Sequence, residues 1–302
     1  MSGSRKPKWL VSSKLGAKNA TKISQLLRDY NINTVCQSAQ CPNRGECFDR
    51  GTATFMILGT ECSRNCAFCA VTKANHTLPA PDPSEPEKIA FLTKKLELSH
   101  VVITTVTRDD LPDGGASQFI KVSEEIRKVT DDSVTIEVLV SDFAGDLDQV
   151  KKIALSNIDV FNHNIETVPR LYETIRPMAD FDRSIDVLKT AKQEKPNLVT
   201  KSGLMVGLGE TKEEVLEVLK VLRAASVDAI TIGQYLQPTR QHIPVVEYIH
   251  PDRFDEYADL ANQLGFGLVK SAPLVRSSYH AEEAKLLIKG ENYGNHNYSQ
   301  TL

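Results

Sequence analysis

The sequence predicts an α/β fold, a partial (β/α)6 barrel that is similar to a TIM barrel but open on one side. From residue 54 onward, apolar segments of strand length alternate with helical patterns, which is typical of a parallel sheet wrapped by helices. Six such units are present, fewer than a closed eight-fold barrel requires. The chain has 302 residues, enough for one such barrel with a further segment at each end.

Six apolar segments predict the strands, and they occupy residues 54–58, 101–106, 134–140, 158–165, 204–208 and 229–236. Apolar residues at helical spacing predict the helices between them, as in Phe119, Val122, Ile126 and Val129; Val215, Leu219 and Leu222; and Phe254, Tyr257, Ala258, Ala261 and Leu264. In such barrels the reactive groups lie on loops that follow the carboxyl ends of the strands. Functional residues are therefore expected at that end.

Local signals mark where three of these helices begin or end. Ser84 with Glu87, and Thr211 with Glu214, have the spacing of capping boxes. Gly265 suits the position just after the end of a helix.

The barrel is predicted to span residues 51–270, with an extension packed on it at each end. Residues 1–50 form the N-terminal extension and carry the first three cysteines, whereas residues 271–302 form the C-terminal extension. The proline-rich segment 78–86 predicts a stiff linker into the next helix.

Composition excludes several classes of protein. The 36 Lys and Arg residues are outnumbered by 39 Asp and Glu, and a net charge of −3 disfavours a nucleic-acid partner. No run of 18 apolar residues and no secretory leader is found, so neither a membrane span nor export is expected. These features predict a cytoplasmic protein.

Residues 1–28 contain basic residues but no Asp or Glu, which suits either a solvated arm or a docking surface for an acidic partner.

All six cysteines lie in two triplets, Cys36, Cys41 and Cys47, then Cys62, Cys66 and Cys69. Disulfides are disfavoured, because a non-secreted chain of this size more often uses clustered cysteines for metals or redox chemistry. Structural zinc sites and ordinary four-iron clusters take four protein ligands. Three thiolates therefore leave one metal position open for chemistry.

The second triplet has the spacing CxxxCxxC, with Phe68 just before its last cysteine. This segment resembles the cluster-binding loop of the radical S-adenosylmethionine enzymes. The resemblance implies that three thiolates hold a [4Fe–4S] cluster whose fourth iron binds S-adenosylmethionine. The alternative, half of a zinc site, lacks a fourth thiolate or a nearby histidine.

The first triplet leaves a ligand to be found. If it holds a second [4Fe–4S] cluster, no cysteine remains for the fourth iron, so the ligand is a non-cysteine residue, an exogenous group or nothing. The segment Arg276-Ser-Ser-Tyr-His-Ala281 lies near the C-terminus. On the residues alone, its serines also suit an ordinary helix N-cap.

The chain as a whole resembles the lipoyl synthase family over roughly residues 5–290. Beside the two cysteine patterns and RSSYHA, the matching segments are Lys6-Pro-x-Trp9-Leu, Arg108-Asp-Asp-Leu-x-Asp-Gly-Gly-Ala116, Asn162-His-Asn-x-Glu166-Thr-Val-Pro, Lys201-Ser-Gly-Leu-Met-Val-Gly-Leu-Gly-Glu210 and Gln234-Tyr-Leu-Gln-Pro238. The resemblance implies insertion of two sulfur atoms into an octanoyl chain on a lysine of a carrier protein.

The same resemblance implies roles for the two triplets. Cys62, Cys66 and Cys69 would hold the catalytic cluster, to which S-adenosylmethionine binds. The auxiliary cluster, expected to be the sulfur donor, would be bound by Cys36, Cys41, Cys47 and Ser278, with Ser277 the less favoured serine.

Strand order predicts the remaining cofactor contacts at the carboxyl ends of the strands. The candidates are Phe68, Thr105, Asn162, Asn164, Glu166, Arg176 and Gly207. Hydrogen bonding at the barrel mouth is an alternative role for the asparagines and Glu166, and a surface salt bridge is one for Arg176.

The resemblance also implies partners. One is an octanoylated lipoyl domain, from a 2-oxoacid dehydrogenase acyltransferase subunit or the glycine-cleavage carrier protein; the other is a small electron donor such as ferredoxin or flavodoxin. Two rival classes are a two-cluster electron carrier and a zinc-binding interaction module. The carrier would need four ligands for each cluster.

Overall fold

The computed structural model describes residues 6–10, 20–38, 41, 43–50 and 52–290. Much of the basic N-terminal arm, including Lys14 and Lys18, lies outside these residues, as do the last dozen positions.

An open parallel sheet forms the centre of the molecule. Its strands lie in the order β1-β2-β5-β6-β7-β8-β9-β10, and every neighbouring pair is parallel except β1 with β2. Together with the small pair β3-β4, the strands are β1 Asn33–Thr34, β2 Thr52–Ile57, β3 Glu61–Cys62, β4 Thr72–Lys73, β5 His100–Thr105, β6 Thr135–Leu139, β7 Val160–Asn162, β8 Val199–Val206, β9 Ala229–Gln234 and β10 Leu268–Ser271. The predicted partial barrel is confirmed.

Several details of the sheet differ from the sequence prediction. The antiparallel strand β1 was not predicted, and β7 covers only Val160–Asn162 of the predicted segment 158–165. A seventh parallel strand, β10, pairs with β9, although its four residues alternate between buried and half-buried and resemble no long apolar run. Strand β8 begins at Val199, before the apolar segment, because Thr200, Lys201 and Ser202 are buried in spite of their polar side chains. Lys201 pairs with Glu137 inside the barrel, whereas the Thr200 and Ser202 hydroxyls donate to Asp228 and to the carbonyl of His163.

Helices cover the sheet and bury its outer face. They are α1 Ala20–Asp29, α2 Val35–Ser38, α3 Arg44–Asp49, α4 Glu85–Lys95, α5 Ala116–Val129, α6 Leu147–Ala154, α7 Tyr172–Ile175, α8 Phe181–Glu194, α9 Lys212–Ala224, α10 Pro251–Gln263 and α11 Ala284–Ile288. The apolar faces predicted for α5, α9 and α10 pack into two clusters of buried side chains. Burial of these faces holds the helices on the sheet.

The capping predictions had different outcomes. Thr211 and Glu214 form the predicted capping box, in which each side chain accepts a backbone N–H of the other residue at 3.2 and 2.8 Å. Gly265 adopts φ +85° just after α10, as expected. The prediction of a capping box at Ser84 was wrong, because the Ser84 hydroxyl donates to Asp82 at 2.6 Å instead of capping the helix.

The described parts of the two extensions contact each other. Asn43 Nδ2 donates to the carbonyl of Leu274 at 2.7 Å, and Arg50 Nε donates to Glu282 Oε1 at 2.7 Å. Helix α3 is therefore held by the C-terminal segment. The division of the chain into an N-terminal extension, a barrel and a C-terminal extension stays a prediction.

A buried ion pair lies inside the barrel. Lys201 Nζ on β8 lies 3.0 and 3.1 Å from the carboxylate oxygens of Glu137 on β6, and both side chains are almost wholly inaccessible to solvent. His100 Nε2 lies 3.4 Å from the same carboxylate. Each of these buried charges compensates the other, because either one alone would be an unpaired charge removed from water.

Replacement of Lys201 by Met is expected to lower the free energy of unfolding by about 3–5 kcal/mol, because it leaves the Glu137 charge buried and unpaired. The double variant Glu137→Gln/Lys201→Met should regain most of that loss, since both charges are then gone. Guanidinium denaturation of the metal-free protein measures both effects. A double variant less stable than Lys201→Met would contradict the pairing.

Candidate active site

A cavity of about 610 Å³ opens at the carboxyl ends of the strands. Thr104 and Thr105 of β5, Leu139 of β6 and Met205 of β8 contribute to its wall, as expected for a site in such a barrel. All six cysteines line the same cavity. The fold therefore brings together two triplets that the sequence separates by a strand.

The loop of the second triplet is fixed by backbone contacts on several sides. The Ala67 N–H donates to the carbonyl of Ile175 at 2.9 Å, and the Ser63 hydroxyl donates to that of Thr107 at 3.0 Å. Burial raises the pKa of the Cys66 thiol and raises that of Cys69 to about 11. Any metal bound by these sulfurs would therefore have to displace their protons.

Arg64, between Cys62 and Cys66, anchors this loop and was not predicted. Its guanidinium makes a two-point contact with Asp109, at 2.7 and 2.8 Å, and contacts Asp142 at 2.6 Å. Its backbone N–H lies 3.4 Å from the Cys62 sulfur. An arginine between two cysteines is a weak sequence signal, because its acidic partners follow other strands.

The first triplet is gathered by short elements of the N-terminal extension. Cys36 lies on α2 and Cys47 on α3, with Cys41 between them. Burial raises the pKa of Cys47, and the neighbouring Cys36 and Cys41 thiols raise it further. Cys36 and Cys41 thus lie close enough to Cys47 to affect its ionisation.

The segment Arg276–Tyr279 lines the cavity beside this triplet. Ser277 is fully engaged, since its hydroxyl accepts from Asn162 Nδ2 and donates to Asn164 Oδ1, both at 2.9 Å. The Ser278 hydroxyl, in contrast, has no hydrogen-bond partner among the described residues. Burial lowers the pKa of Arg276, a cavity residue that belongs to the quoted RSSYHA segment but was given no role from the sequence.

Five of the seven predicted cofactor contacts line the cavity, and they are Phe68, Thr105, Asn164, Glu166 and Arg176. Asn162 and Gly207 are absent from its lining. Asn162 lies just beneath, bonded to Ser277, and the Gly207 N–H donates to Glu210. Contact of these two residues with the cofactor stays a prediction.

The donor set of this cavity fits the expected cofactors. Arg176 is buried and uses Nη1 for the carbonyls of Asn164 and Ile165, at 3.1 Å each, but its buried Nε finds no partner in the described part of the chain. An unused guanidinium donor suits a carboxylate. Burial also raises the pKa of the nearby Glu166.

The arrangement of the cysteines disfavours a single-ion site. Within the described ranges, no three His, Cys, Asp or Glu side chains are arranged to hold one metal ion. An iron–sulfur cluster instead spreads its thiolates over different irons. Two triplets on one cavity therefore fit two clusters.

Comparison with known proteins identifies the class. The model of the Radical SAM superfamily matches residues 56–222. SuiB of Streptococcus suis bound to S-adenosylmethionine superposes with a TM-score of 0.57 at 16% identity, covering 85% of this chain and 62% of that one. Methylornithine synthase (PylB) superposes with a TM-score of 0.53 at 14% identity, covering 94% and 95%. The protein is a radical S-adenosylmethionine enzyme, with the partial barrel of that class.

Relatives within that class define it further. Lipoyl synthase of Caldanaerobacter subterraneus subsp. tengcongensis is 51% identical over 287 residues, which are 95% of this chain and 99% of that one. Lipoyl synthase of Caldicellulosiruptor saccharolyticus is 52% identical over 288 residues, covering 95% and 100%. The chain belongs to the lipoyl synthase family.

The predicted family, enzyme class and cofactors are thereby confirmed. The protein is a radical S-adenosylmethionine sulfurtransferase that uses two [4Fe–4S] clusters, and it inserts two sulfur atoms into an octanoyl chain on a carrier protein. Among the residues that the structure describes, no helix is long and apolar enough to cross a membrane.

Proposed function

We propose that the two cysteine triplets divide the reaction between them. Cys62, Cys66 and Cys69 would hold the cluster that binds S-adenosylmethionine, and the first triplet with Ser278 would hold the auxiliary cluster. When bound, these groups supply a 5′-deoxyadenosyl radical that removes hydrogen from carbon, and the sulfur that replaces it. The observation that carries the proposal is that both triplets line one cavity.

The chain's own residues would orient S-adenosylmethionine in this cavity. Arg176 would bind its carboxylate, and the support for this role is that its unused Nε lies in a buried wall beside Glu166 and Cys66. Glu166 and Asn164 would meet its ammonium or ribose hydroxyls, and Phe68 and Thr105 would contact the rest. A surface salt bridge is a poor alternative for Arg176, since it is 8% exposed.

The cavity also suits an aliphatic chain. Apolar side chains from several elements line it, among them Val35, Met56, Val71, Leu139 and Met205. An octanoyl chain packed against these side chains would be removed from water. This removal favours binding and protects a reactive carbon from solvent.

Partners follow from this chemistry. The substrate would be an octanoylated lipoyl domain, from a 2-oxoacid dehydrogenase acyltransferase subunit or the glycine-cleavage carrier protein, and the electrons would come from ferredoxin or flavodoxin in the cytoplasm.

Incubation of an octanoyl-lysyl carrier peptide with S-adenosylmethionine and reductant tests the function, with lipoyl peptide as the product. Anaerobically purified protein should contain about eight irons per chain.

The Ser278 hydroxyl is the better fourth ligand, because Ser277 already donates its proton to Asn164. Ser278→Ala is expected to retain S-adenosylmethionine cleavage and most of its iron, since three thiolates still hold each cluster. Sulfur insertion should fall sharply, about tenfold or more, if the oxygen ligand protects one iron until substrate arrives.

Ser277→Ala is the matched control and should be milder. Lipoyl product and 5′-deoxyadenosine are measured in the same incubation. A normal rate of product from Ser278→Ala, with Ser277→Ala inactive, would assign the ligand to Ser277.

A further inference from the structure

A continuous chain of hydrogen bonds joins the buried ion pair to the cavity. Glu137 Oε1 accepts from Asn162 Nδ2 at 2.7 Å, and the same nitrogen donates to Ser277 Oγ at 2.9 Å. The Ser277 hydroxyl donates to Asn164 Oδ1 at 2.9 Å, and Asn164 Nδ2 donates to Glu166 Oε1 at 3.1 Å. One chain therefore reaches both the serine segment and the predicted cofactor contacts.

The direction of every bond in this chain follows from its first member. Glu137 is paired with Lys201 and, as a carboxylate, can only accept, so Asn162 must turn its NH2 group toward it. The second N–H of that group points at Ser277, which accepts it and gives its own proton to Asn164 Oδ1. The NH2 group of Asn164 is then left for Glu166.

The starting charge is secure at neutral pH. Burial alone would raise the pKa of Glu137, but the Lys201 ammonium, the nearby His100 ring and the hydrogen bond from Asn162 lower it to about 2. Glu137, Lys201 and Asn162 do not line the cavity. They therefore act on the site through other residues and not by touching a cofactor.

We propose that Glu137, Lys201 and Asn162 are positioning residues that hold Ser277, and with it the neighbouring Ser278, while they orient Asn164 toward Glu166. This inference rests on the proposed function, because it assigns Ser278 and Glu166 to the two cofactor sites. Its consequence is that one buried charge pair orders the walls of both sites. Asn162, predicted as a cofactor contact, becomes part of this support.

The test uses the metal-free protein and two single substitutions, Asn162→Leu and Ser277→Ala, which break adjacent links. The readout is hydrogen exchange of the Tyr279 amide, which donates to the Arg276 carbonyl at 2.9 Å. Each variant should exchange roughly tenfold faster, since each loses the bonds that hold the segment. The double variant should match the singles, because a chain broken once is already broken.

Val218→Ala, a buried truncation on α9, controls for general loss of stability and should leave this amide near its wild-type rate. Glu137→Gln/Lys201→Met keeps the core neutral but removes the fixed direction, because a Gln amide both donates and accepts. After iron loading, this double variant and Asn162→Leu should alter the electron paramagnetic resonance spectrum of the auxiliary cluster, whereas Val218→Ala should not.

Unchanged exchange in Asn162→Leu, or additive effects of the two single substitutions, would overturn the positioning role. Since exchange is read without iron, a failed Ser278→Ala prediction would refute the ligand assignment and leave this measurement intact. Failure of the Ser278 ligand assignment can thus be distinguished from failure of the positioning role.

Discussion

An enzyme in which Cys62, Cys66 and Cys69 are all alanine is expected to form no 5′-deoxyadenosine above background. These thiols line the cavity beside Arg176 and Glu166, where S-adenosylmethionine would bind, so their loss removes the electron source for cleavage of the sulfonium. Chromatography of the nucleoside after reduction with dithionite measures the effect. Lipoyl product should disappear as well.

Iron content supplies the control for this variant. With the other triplet intact, the protein should keep about four of about eight irons per chain. Formation of 5′-deoxyadenosine at the wild-type rate would show that the two triplets had been assigned the wrong way round.

Replacement of Cys36, Cys41 and Cys47 by alanine should separate the two halves of the reaction. Cleavage of S-adenosylmethionine should continue at a comparable rate, because the Cys62–Cys69 loop is anchored independently through Arg64, Asp109 and Asp142. Sulfur insertion should vanish, since the proposed ligands of the sulfur-donating cluster are gone. Mass spectrometry of the octanoyl peptide, run beside the nucleoside assay, measures both.

The reciprocal loss of about four irons is the control here, together with an unchanged circular dichroism spectrum. Lipoyl product from this variant would exclude the auxiliary cluster as the donor. Loss of both activities with full stability would mean that the first triplet also shapes the S-adenosylmethionine site.

Sequence patterns predicted the strands of the barrel and the two cysteine triplets as candidate ligands, because the signals for both are local in the chain. A strand that is buried on both faces is apolar along its length, and ligand spacing within a loop is visible in the chain itself. Strand β10 was missed, since its four residues alternate between buried and half-buried. Its place is fixed by pairing with β9, which no local pattern records.

The ion pairs of Arg64 and Lys201, which support the site, were missed for the same reason. Arg64 finds Asp109 and Asp142, and Lys201 finds Glu137, only when separate strands become neighbours. A buried lysine also conceals the strand that carries it, which is why the start of β8 was placed too late. Asn162 was predicted as a cofactor contact, but its hydrogen bonds to Glu137 and Ser277 place it beneath the cavity wall.

The contact between the two ends of the chain has a consequence for biosynthesis. Asn43 and Leu274 are 231 positions apart, and Arg50 and Glu282 are 232 apart, yet these pairs join the segment that carries the first cysteine triplet to the segment that carries Ser277 and Ser278. The ribosome makes both cysteine triplets long before the serine segment, and domains fold as they emerge. The proposed auxiliary site would therefore be completed only after the serine segment has emerged, whereas the Cys62–Cys69 loop and its anchors Asp109 and Asp142 emerge well before that segment.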